Sequence, residues 1–432
     1  MTSVNQRPNS LLIRGGRVID PSQALDVEAD VLLKDGRVVE VGKVSGSADE
    51  TIDAKGMVVA PGLIDIHVHL REPGQWQKET IASGTAAAAA GGFTSVCSMP
   101  NTSPVNDIPA ITRWILAPER GAVVNVFPVA AATVGSLGEK ITNHFALAMA
   151  GAVGVTDDGK PILSDRIMRE VLVAATEAGL PVLQHAEDTT LTEGATMHEG
   201  PTAFRLGLRG MPAAAESRIV ERDIDLAAEV GARLHVMHIS TAAALEAVRR
   251  GKTAGVQVTC EAAPHHFTLT DEDIGDYDTH RKMNPPLRSR EDREAILQGL
   301  ADGTIDCIAT DHAPHAPHEK AVEFDRAPFG IVGLETALGL TISKLHAERK
   351  LPLMRIIELL STNPARVMGL EDRGSLKAGF VADVTIFDSN RKWSFDIRES
   401  RSKSRNTPFT GWQLQGKAVA TIVGGRIAYR AE

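Results

Sequence analysis

The sequence has few aromatic residues and no long uninterrupted apolar run. Phe, Trp and Tyr make up 4% of the 432 residues, so the chain offers little stacking surface for nucleic-acid bases. No stretch reaches the roughly 18 apolar residues that a membrane-spanning helix needs. The N-terminal segment MTSVNQRPNS lacks the charged start and apolar core of a secretory signal. We therefore expect a cytoplasmic protein with neither a nucleic-acid partner nor a membrane partner.

Charge and cysteine usage support the same expectation. The chain has 46 Lys and Arg against 55 Asp and Glu, and its net charge of −9 includes no basic block, which argues against binding to nucleic acid. The three cysteines, Cys97, Cys260 and Cys307, are far apart and lie in apolar runs. This distribution predicts reduced, buried thiols and not a disulfide framework.

Both ends of the chain carry short strand patterns separated by glycine turns. Near the N-terminus these are LLIRGGRVID and DVLLKDGRVVEVG, and near the C-terminus they are VADVTIFD and AVATIVGGRIAYR. The hydrophobic content of 43% suffices for a large core and a smaller unit. We predict a small β-sandwich domain built from both termini, residues 1–60 plus 373–432, and a larger domain of residues 61–372.

The middle of the chain alternates eight apolar strand candidates with helical patterns. The strand candidates are 63–69, 93–99, 122–130, 152–156, 181–185, 233–239, 256–261 and 305–310. Helical patterns at 78–92, 164–179 and 215–231 each end in glycine. Eight alternations predict an α/β fold of the TIM-like (β/α)8 barrel type. A doubly wound open sheet is the alternative, but the Gly-rich phosphate loop of its nucleotide-binding members is missing.

Polar residues with metal-ligand chemistry follow several of these strands. They are His67 and His69 after the first strand, Asp157 and Asp158 after the fourth, His185 after the fifth, His238 after the sixth and Asp311 after the eighth. In a barrel, these strand ends form one rim, where active sites lie. Imidazole and carboxylate are ligands that suit Zn²⁺, and four histidines exceed what one tetrahedral ion with an open position would use.

Two zinc ions that share a bridging carboxylate and a bridging hydroxide would use this ligand set fully. We expect His67, His69 and Asp311 at one ion and His185 and His238 at the other. Asp157 would be the bridge. Such a site makes hydroxide at neutral pH and polarises a carbonyl. Asp311 touches the ion that binds the water, so it can take a proton and deliver it to the leaving nitrogen of an amide.

Other parts of the chain give weaker signals. In GLIDIHVHLR, strict strand alternation places His67 and His69 on one face, and Ile64, Ile66, Val68 and Leu70 on the other. His235 lies three residues before His238 on the opposite strand face, and we expect it to pack against the helices. His265 and His266 are ambiguous. The stretch 262–289 has no clear periodicity, and loops of that length are more often functional than not.

Several motifs together resemble the dihydroorotases of the amidohydrolase superfamily, in their class I bacterial form. They are DIHVHLREPG, the PNT of SMPNTSPV, TDDG, KMNPPLRS and ATDHAPHAPHEK, and GSLKAGFVADVTIFD is similar to the C-terminal β segment of the superfamily. The match runs through nearly the whole chain. His-x-His alone would be a weak signal, but Arg71 after it and the Asp311-x-Ala-Pro-His315 motif separate this family from its relatives.

The resemblance implies a reaction and a set of site residues. The implied reaction is the reversible, zinc-dependent cyclisation of N-carbamoyl-L-aspartate to L-dihydroorotate in pyrimidine biosynthesis, with a metal-bridging hydroxide as nucleophile and Asp311 as proton shuttle. The implied zinc ligands are His67, His69, Asp157, His185, His238 and Asp311. The implied substrate contacts are His69, Arg71, Asn101, Asn284, His315 and the backbone of Phe329 and Gly330. An arginine fork fits a carboxylate, and asparagine can donate to and accept from a ureide edge.

One feature departs from many superfamily members, which bridge their metals with a carboxylated lysine. Asp157 stands at that place here, and Lys160 falls beyond the following glycine. The chain thus resembles the subset that bridges with aspartate.

Alternatives remain at the levels of function and of single residues. Allantoinase or dihydropyrimidinase would be a related cyclic amidohydrolase, but neither needs an arginine directly after His-x-His for a ring carboxylate. A non-catalytic scaffold for aspartate transcarbamoylase would typically lack metal histidines. An active enzyme that also binds the transcarbamoylase stays open, and we expect a homo-oligomer of unspecified size. Arg71 could instead pair with Glu72, and Asn284 could be a turn residue before Pro285.

Overall fold

The computed structural model describes residues 10–431. Residues 1–9, on which the prediction of no secretory signal rests, lie outside this range. Within it, no helix is both long and apolar enough to cross a membrane. All three cysteines fall inside the range and are buried free thiols, as predicted.

The strands form three groups along the chain. The first group is β1 (Ser10–Asp20), β2 (Leu25–Lys34), β3 (Arg37–Gly42), β4 (Glu50–Asp53) and β5 (Val58–Pro61). The second group is β6 (Leu63–Val68), β7 (Phe93–Ser98), β8 (Asn125–Ala131), β9 (Gly154–Thr156), β10 (Val182–Gln184), β11 (Met197–His198), β12 (Gly210–Met211), β13 (Leu234–Val236), β14 (Val258–Ala262) and β15 (Cys307–Ile308). The third group is β16 (Val384–Ser394), β17 (Gln413–Val423) and β18 (Arg426–Arg430).

The first and third groups join into one sheet, which we call the terminal sheet. Its strand order is β18-β17-β16-β5-β1-β2-β3, and β4 also pairs with β1. β5 joins the two groups, because it pairs antiparallel with β16 and parallel with β1. The sheet has its own apolar core, in which Ile13, Val31 and Val59 pack with Val384 and Ile422. The prediction that the two termini combine into one β unit is confirmed.

Eight strands of the second group form a parallel, nearly closed barrel. Their order is β6-β7-β8-β9-β10-β13-β14-β15, and they match the eight predicted strands. Closure comes from a bridge between Val68 and His312, beside which the His69 amide donates to the His312 carbonyl at 2.9 Å. β11 and β12 form a separate parallel ribbon. The TIM-like barrel prediction is therefore confirmed.

Helices connect the strands. The α-helices are α1 (Ile81–Gly91), α2 (Pro109–Ile115), α3 (His144–Met149), α4 (Asp165–Glu177), α5 (Thr189–Thr192), α6 (Pro201–Leu206), α7 (Ala214–Val230), α8 (Ala242–Thr253), α9 (Pro264–Thr268), α10 (Arg290–Asp302), α11 (Pro317–Lys320), α12 (Ala337–Thr341), α13 (Leu353–Ile357) and α14 (Asn363–Met368). π-helical segments at Ile342–Glu348 and Glu358–Thr362 continue α12 and α13. Short 3-10 turns lie at Pro21–Gln23, Pro118–Arg120, Val134–Ser136, Asp271–Ile274, Thr279–Arg281 and Ile397–Glu399.

The three predicted helices are α1, α4 and α7, and their ends lie within three residues of the predicted limits. α1 illustrates why the residue pattern predicted the ends of these helices. The Thr80 side chain accepts a hydrogen bond from the Ser83 amide and caps the N-terminus. Gly92, with a φ of 95°, ends the helix in the left-handed conformation that glycine adopts readily.

The first barrel strand does not keep strict alternation. Ile64 and Ile66 belong to a cluster with residues of β7, β8, β10 and β15, which places them inside the barrel. Val68 and Leu70 pack in a different cluster with the surrounding helices. The prediction that these four side chains share one face is wrong, because the pairing of β6 with β7 shifts register twice.

One residue separates the last of the N-terminal strands of the terminal sheet from the first strand of the barrel. β5 ends at Pro61 and β6 begins at Leu63, so Gly62 alone separates them. A side chain at Gly62 would collide with Thr94, and the Gly62 carbonyl accepts a hydrogen bond from Ser361 Oγ at 2.7 Å. The first barrel strand is therefore fixed directly to the terminal sheet.

Candidate active site

Four histidines and two aspartates meet at the C-terminal rim of the barrel, and all six are buried. Their ligand atoms form three groups, each within 4.8 Å: His67, His69 and Asp158; His67, His238 and Asp311; and Asp158, His185 and His238. Because the groups share members, they constitute one continuous set of metal-binding candidates, which we call the ligand cluster.

The carboxylate that faces the histidines is Asp158 and not Asp157, so the assignment of Asp157 as the bridging ligand is corrected. Asp158 Oδ1 lies 3.7 Å from His67 Nε2 and 3.6 Å from His185 Nδ1. Asp157 turns away: its Oδ1 accepts from the Thr133 amide at 3.0 Å, and its Oδ2 accepts from the Thr133 hydroxyl. Adjacent residues at a strand end point in opposite directions, so only one of the two can enter the cluster.

The outer nitrogen of three of the imidazoles is held by a polar side chain. The pairs are His67 Nδ1 with Glu261 Oε1 at 2.7 Å, His69 Nδ1 with Asn101 Oδ1 at 2.8 Å, and His185 Nε2 with Glu187 Oε2 at 3.1 Å. Partners of this kind fix the tautomer and orientation of metal-ligating histidines. Each ring thus turns its other nitrogen toward the middle of the cluster.

A buried nitrogen without a partner supports metal binding. His67 Nε2 has no hydrogen-bond partner among residues 10–431, although carboxylate oxygens of Asp311 and Asp158 lie 3.5 and 3.7 Å away. An unpaired buried polar atom is costly, and a cation between this nitrogen and the carboxylates would satisfy all of them. Imidazole and carboxylate are donors that borderline divalent ions accept, so the residues present fit a metal.

The buried carboxylates and imidazoles of the ligand cluster shift one another's pKa values. Burial would raise the pKa of Asp158, but the nearby His185 and His67 imidazoles hold this pKa well below its usual range. Burial would lower the pKa of His185, but Asp158 and Glu187 raise it to about 10. Burial and the nearby His185 hold the pKa of His238 well below its usual value. His238 is therefore neutral, which is the form in which imidazole binds a metal.

Sequence reasoning missed Glu261 and misplaced His235. Glu261, on β14, bonds His67 through Oε1, lies 3.1 Å from His235 Nε2 through Oε2, and accepts from the His238 amide at 3.3 Å. Burial would raise the pKa of Glu261, but its bonds to His235 and His67 hold it at about 2. The expectation that His235 packs against the helices is wrong, because its ring groups with Glu261 and Cys307 inside the barrel. A glutamate within the apolar run VTCEA was the available signal.

Arg71 is a buried cation. Its Nε donates to the Pro314 carbonyl at 3.1 Å, and no carboxylate in residues 10–431 lies within the 4.0 Å of an ion pair. The alternative pair with Glu72 does not form, since Glu72 Oε2 accepts from the Ile81 amide at 2.8 Å. Burial lowers the pKa of Arg71 to about 10 against the opposing effect of Asp311, so the guanidinium is charged at neutral pH. It offers a fixed positive charge to an anionic ligand.

Two asparagines reach the ligand cluster from different loops. Asn101 Nδ2 donates to Asp158 Oδ2 at 3.1 Å. Asn284 Nδ2 donates to Glu187 Oε2 at 2.8 Å and lies 3.4 Å from His185 Nε2. Asn284, in the aperiodic stretch 262–289, therefore bonds side chains at the edge of the ligand cluster. Glu187 was not singled out from the sequence, although it follows His185 closely.

His315 contacts the loop that carries Phe329 and Gly330. Its Nε2 donates to the Phe329 carbonyl at 2.8 Å, and its Nδ1 accepts from Lys78 Nζ at 3.3 Å. Burial, together with the charges of Arg71 and Lys78, lowers the pKa of His315 to about 2. The ring is thus neutral and lies in a positively charged corner of the site.

Three site residues hold unusual backbone conformations. Arg71, His238 and Asp311 have φ values of 61°, 31° and 46°, in a region that residues other than glycine seldom adopt. Such strain is concentrated at functional sites. His266, whose role the sequence left open, donates from Nε2 to the Pro285 carbonyl at 2.9 Å and so supports the loop next to Asn284.

The fold and the ligand cluster together define the class of the protein as an amidohydrolase-type barrel enzyme. The L-hydantoinase (dihydropyrimidinase) from Arthrobacter aurescens matches with a TM-score of 0.88 and 26% identity, over 98% of this chain and 96% of that chain. A family described as "Dihydro-orotase-like" matches residues 56–244. Curated dihydroorotases of Geobacter sp. (strain M21) and Citrifermentans bemidjiense are 52% and 51% identical over 425 residues, which cover 98% of this chain and 100% of each relative. The chain belongs to the dihydroorotase family.

Proposed function

We propose that this enzyme interconverts L-dihydroorotate and N-carbamoyl-L-aspartate, a step of pyrimidine biosynthesis in the cytoplasm. The observation that carries this proposal is Arg71, a buried guanidinium that pairs with no carboxylate in the described part of the chain. Both reactants carry a carboxylate that ring opening leaves unchanged, and an arginine fork matches it. The 52% identity to a curated dihydroorotase, against 26% to a hydantoinase, favours this substrate over an uncharged cyclic amide.

The remaining substrate contacts come from the predicted residues. Asn101 and Asn284 would orient the ureide edge, because each amide can both donate and accept. His315 and the backbone of Phe329 and Gly330 would form the wall opposite the ligand cluster. His69 would contact the substrate beside Asn101, with which it shares a hydrogen bond of 2.8 Å.

The ligand cluster is proposed to hold two Zn²⁺ ions, with Asp158 as the shared carboxylate. Asp158 is grouped with His69 at one end of the cluster and with His185 at the other, which supports this role. The full proposed ligand set is His67, His69, Asp158, His185, His238 and Asp311. When bound, such ions supply a deprotonated water at neutral pH and polarise the ring carbonyl.

Asp311 is the proposed proton carrier. Its Oδ1 lies 3.0 Å from His69 Nε2 and 3.5 Å from His67 Nε2, so a water held by the ligand cluster would be within its reach. In hydrolysis, Asp311 takes the proton of the attacking water and delivers it to the ring nitrogen as the C–N bond breaks. In cyclisation the steps reverse, and the Asp311 carboxyl group starts protonated.

The chain is proposed to divide into a terminal domain of residues 1–60 plus 373–432 and a barrel domain of residues 61–372. The terminal-sheet core includes Leu376 and Ala382, which supports a boundary just before them.

We further propose a homo-oligomer. Leu116, Phe145 and Met149 are exposed large apolar side chains at α2 and α3, and patches of this kind mark interfaces. A second copy of this chain is the proposed occupant of this face, and aspartate transcarbamoylase is the alternative to be tested.

Metal content and turnover of the purified protein test the proposed function. We expect about two zinc ions per chain, turnover of dihydroorotate by the protein alone, and a mass by light scattering above that of one 46.1 kDa chain. Metal with turnover only after transcarbamoylase is added would show that the partner completes the site. No metal and no turnover, even after zinc is supplied, would reject the proposed function in favour of the scaffold alternative.

Substituting Arg71→Met should reduce activity on a substrate that carries a carboxylate far more than activity on one that lacks it. Removing a buried guanidinium–carboxylate contact should lower kcat/KM for dihydroorotate by about 100-fold or more. Hydrolysis of dihydrouracil, the same ring without the carboxylate, should change by no more than about threefold. The control is Arg17→Met, which removes an exposed arginine that pairs with Asp26 on the terminal sheet. Equal losses on both substrates would contradict the assignment of Arg71.

A further inference from the structure

We propose that Asn406 is a positioning residue for substrate binding, and this inference rests on the proposed function. Asn406 belongs to the connection between β16 and β17, residues 395–412. Both strands are members of the terminal sheet, yet the connection reaches the rim of the barrel. There it contacts the two chain segments that carry His315 and Gly330.

The side chain of Asn406 is used fully. It is 2% exposed, and its Oδ1 accepts from the His315 amide at 3.0 Å. Its Nδ2 donates to the carbonyls of Ala313 and Gly330 at 2.9 and 3.0 Å. Its own carbonyl accepts from the Val332 amide at 2.9 Å. One residue thus ties residues 313–315 to residues 330–332.

A buried lysine holds the same loop from another side. Lys320 Nζ donates to the carbonyls of Pro328 and Gly330 at 2.8 and 3.2 Å. The side chain is 3% exposed, and no carboxylate of the described residues lies within ion-pair distance of it. Burying an ammonium group without a carboxylate is costly. The Gly330 carbonyl therefore receives two buried donors, which fixes it closely.

The connection also supports the other neighbour of His315. Ser404 Oγ donates to the Lys78 carbonyl at 2.7 Å, and Ser402 Oγ donates to the Glu79 carboxylate. Lys78 in turn donates to His315 Nδ1. Both ring nitrogens of His315 thus contact segments that residues 402–406 hold in place.

The metal ligands have different supports. Glu261, Asn101 and Glu187 hold their imidazoles, whereas the Asn406 side chain bonds the substrate-facing segments. Loss of Asn406 should therefore displace His315 and the 329–330 backbone relative to the ligand cluster, whose imidazoles keep their own supports. This separation predicts an effect on KM and not on metal content.

The test compares Asn406→Leu with a matched control, Asn363→Leu. Asn363 is also buried, and its Nδ2 donates to the Asp306 carbonyl at 2.8 Å, before the start of β15 and away from the rim. For Asn406→Leu we expect KM for dihydroorotate and for carbamoyl aspartate to rise about tenfold or more, kcat to stay within about threefold, and zinc content to match the wild type. For Asn363→Leu, thermal stability should fall while KM stays unchanged.

Two further variants keep the test decisive. Asn406→Asp retains the oxygen that accepts from the His315 amide but loses the N–H groups that donate to Ala313 and Gly330. Lys320→Met removes the other hydrogen bond to the Gly330 carbonyl and leaves Asn406 unchanged. Both should raise KM in the same way. An unchanged KM in the folded variants, with turnover by the wild type intact, would overturn this inference alone. A wild-type protein without turnover would instead reject the proposed function itself.

Discussion

Substituting Asp311→Asn is expected to lower kcat for dihydroorotate hydrolysis by about 1,000-fold or more. The amide cannot carry the proton from the attacking water to the ring nitrogen. As a weaker ligand, it would also disturb the part of the cluster formed with His67 and His238. Turnover in both directions and zinc content by mass spectrometry, measured on the same sample, separate these two effects.

The control for this substitution is Asp383→Asn, which removes a buried carboxylate outside the active site. Asp383 accepts from the Gly424 amide and from Asn125, both at 2.8 Å, and burial raises its pKa to about 6. It should affect stability and leave kcat near the wild-type value. Retention of more than about a tenth of wild-type kcat by Asp311→Asn, with zinc bound, would exclude Asp311 as proton carrier.

Substituting Asp158→Asn should remove both metal and activity, whereas Asp157→Asn should spare them. Asp158 faces His67, His69 and His185, so its loss should leave the chain zinc-depleted after dialysis against a chelator and reduce turnover about 1,000-fold or more. Asp157 bonds Thr133 instead, so its loss should cost about 1–2 kcal/mol of stability.

Asp157→Asn and Asp158→Asn form a matched pair of variants, because the two side chains are chemically identical but point to opposite sides of the strand end. Zinc content, melting temperature and turnover of both variants decide the assignment. The opposite result, with metal lost from Asp157→Asn and kept by Asp158→Asn, would restore Asp157 as the bridge.

Much of the barrel could be predicted because its signals are local. Each of the eight strands is an apolar run, and helices such as α1 carry a capping threonine and a terminal glycine. The rim position of the histidines followed from their placement after those runs. The choice between Asp157 and Asp158 did not follow, because it depends on the last residue of β9, and sequence patterns rarely fix strand ends that closely.

The supporting residues could not be predicted, because they depend on contacts between distant segments. Glu261 meets His67 from 194 residues away along the chain, and the pairing of β13 with β14 brings His235 to it. Asn406 bonds Gly330 from 76 residues away along the chain. It lies in a connection between two strands of the terminal sheet, so the sequence around it does not point to the barrel rim. The residue pattern within either segment does not predict which distant segment it will contact.

The single residue between the terminal sheet and the first barrel strand limits how this architecture can be divided. Gly62 leaves no linker that could be cut, lengthened or recombined, and the last strands of the chain return to the sheet on the other side of β5. At this junction the barrel cannot be separated from the sheet without altering β5, Gly62 or β6. A chimera that exchanged the sheet of one relative for that of another would also exchange the support of β6, the strand that carries His67.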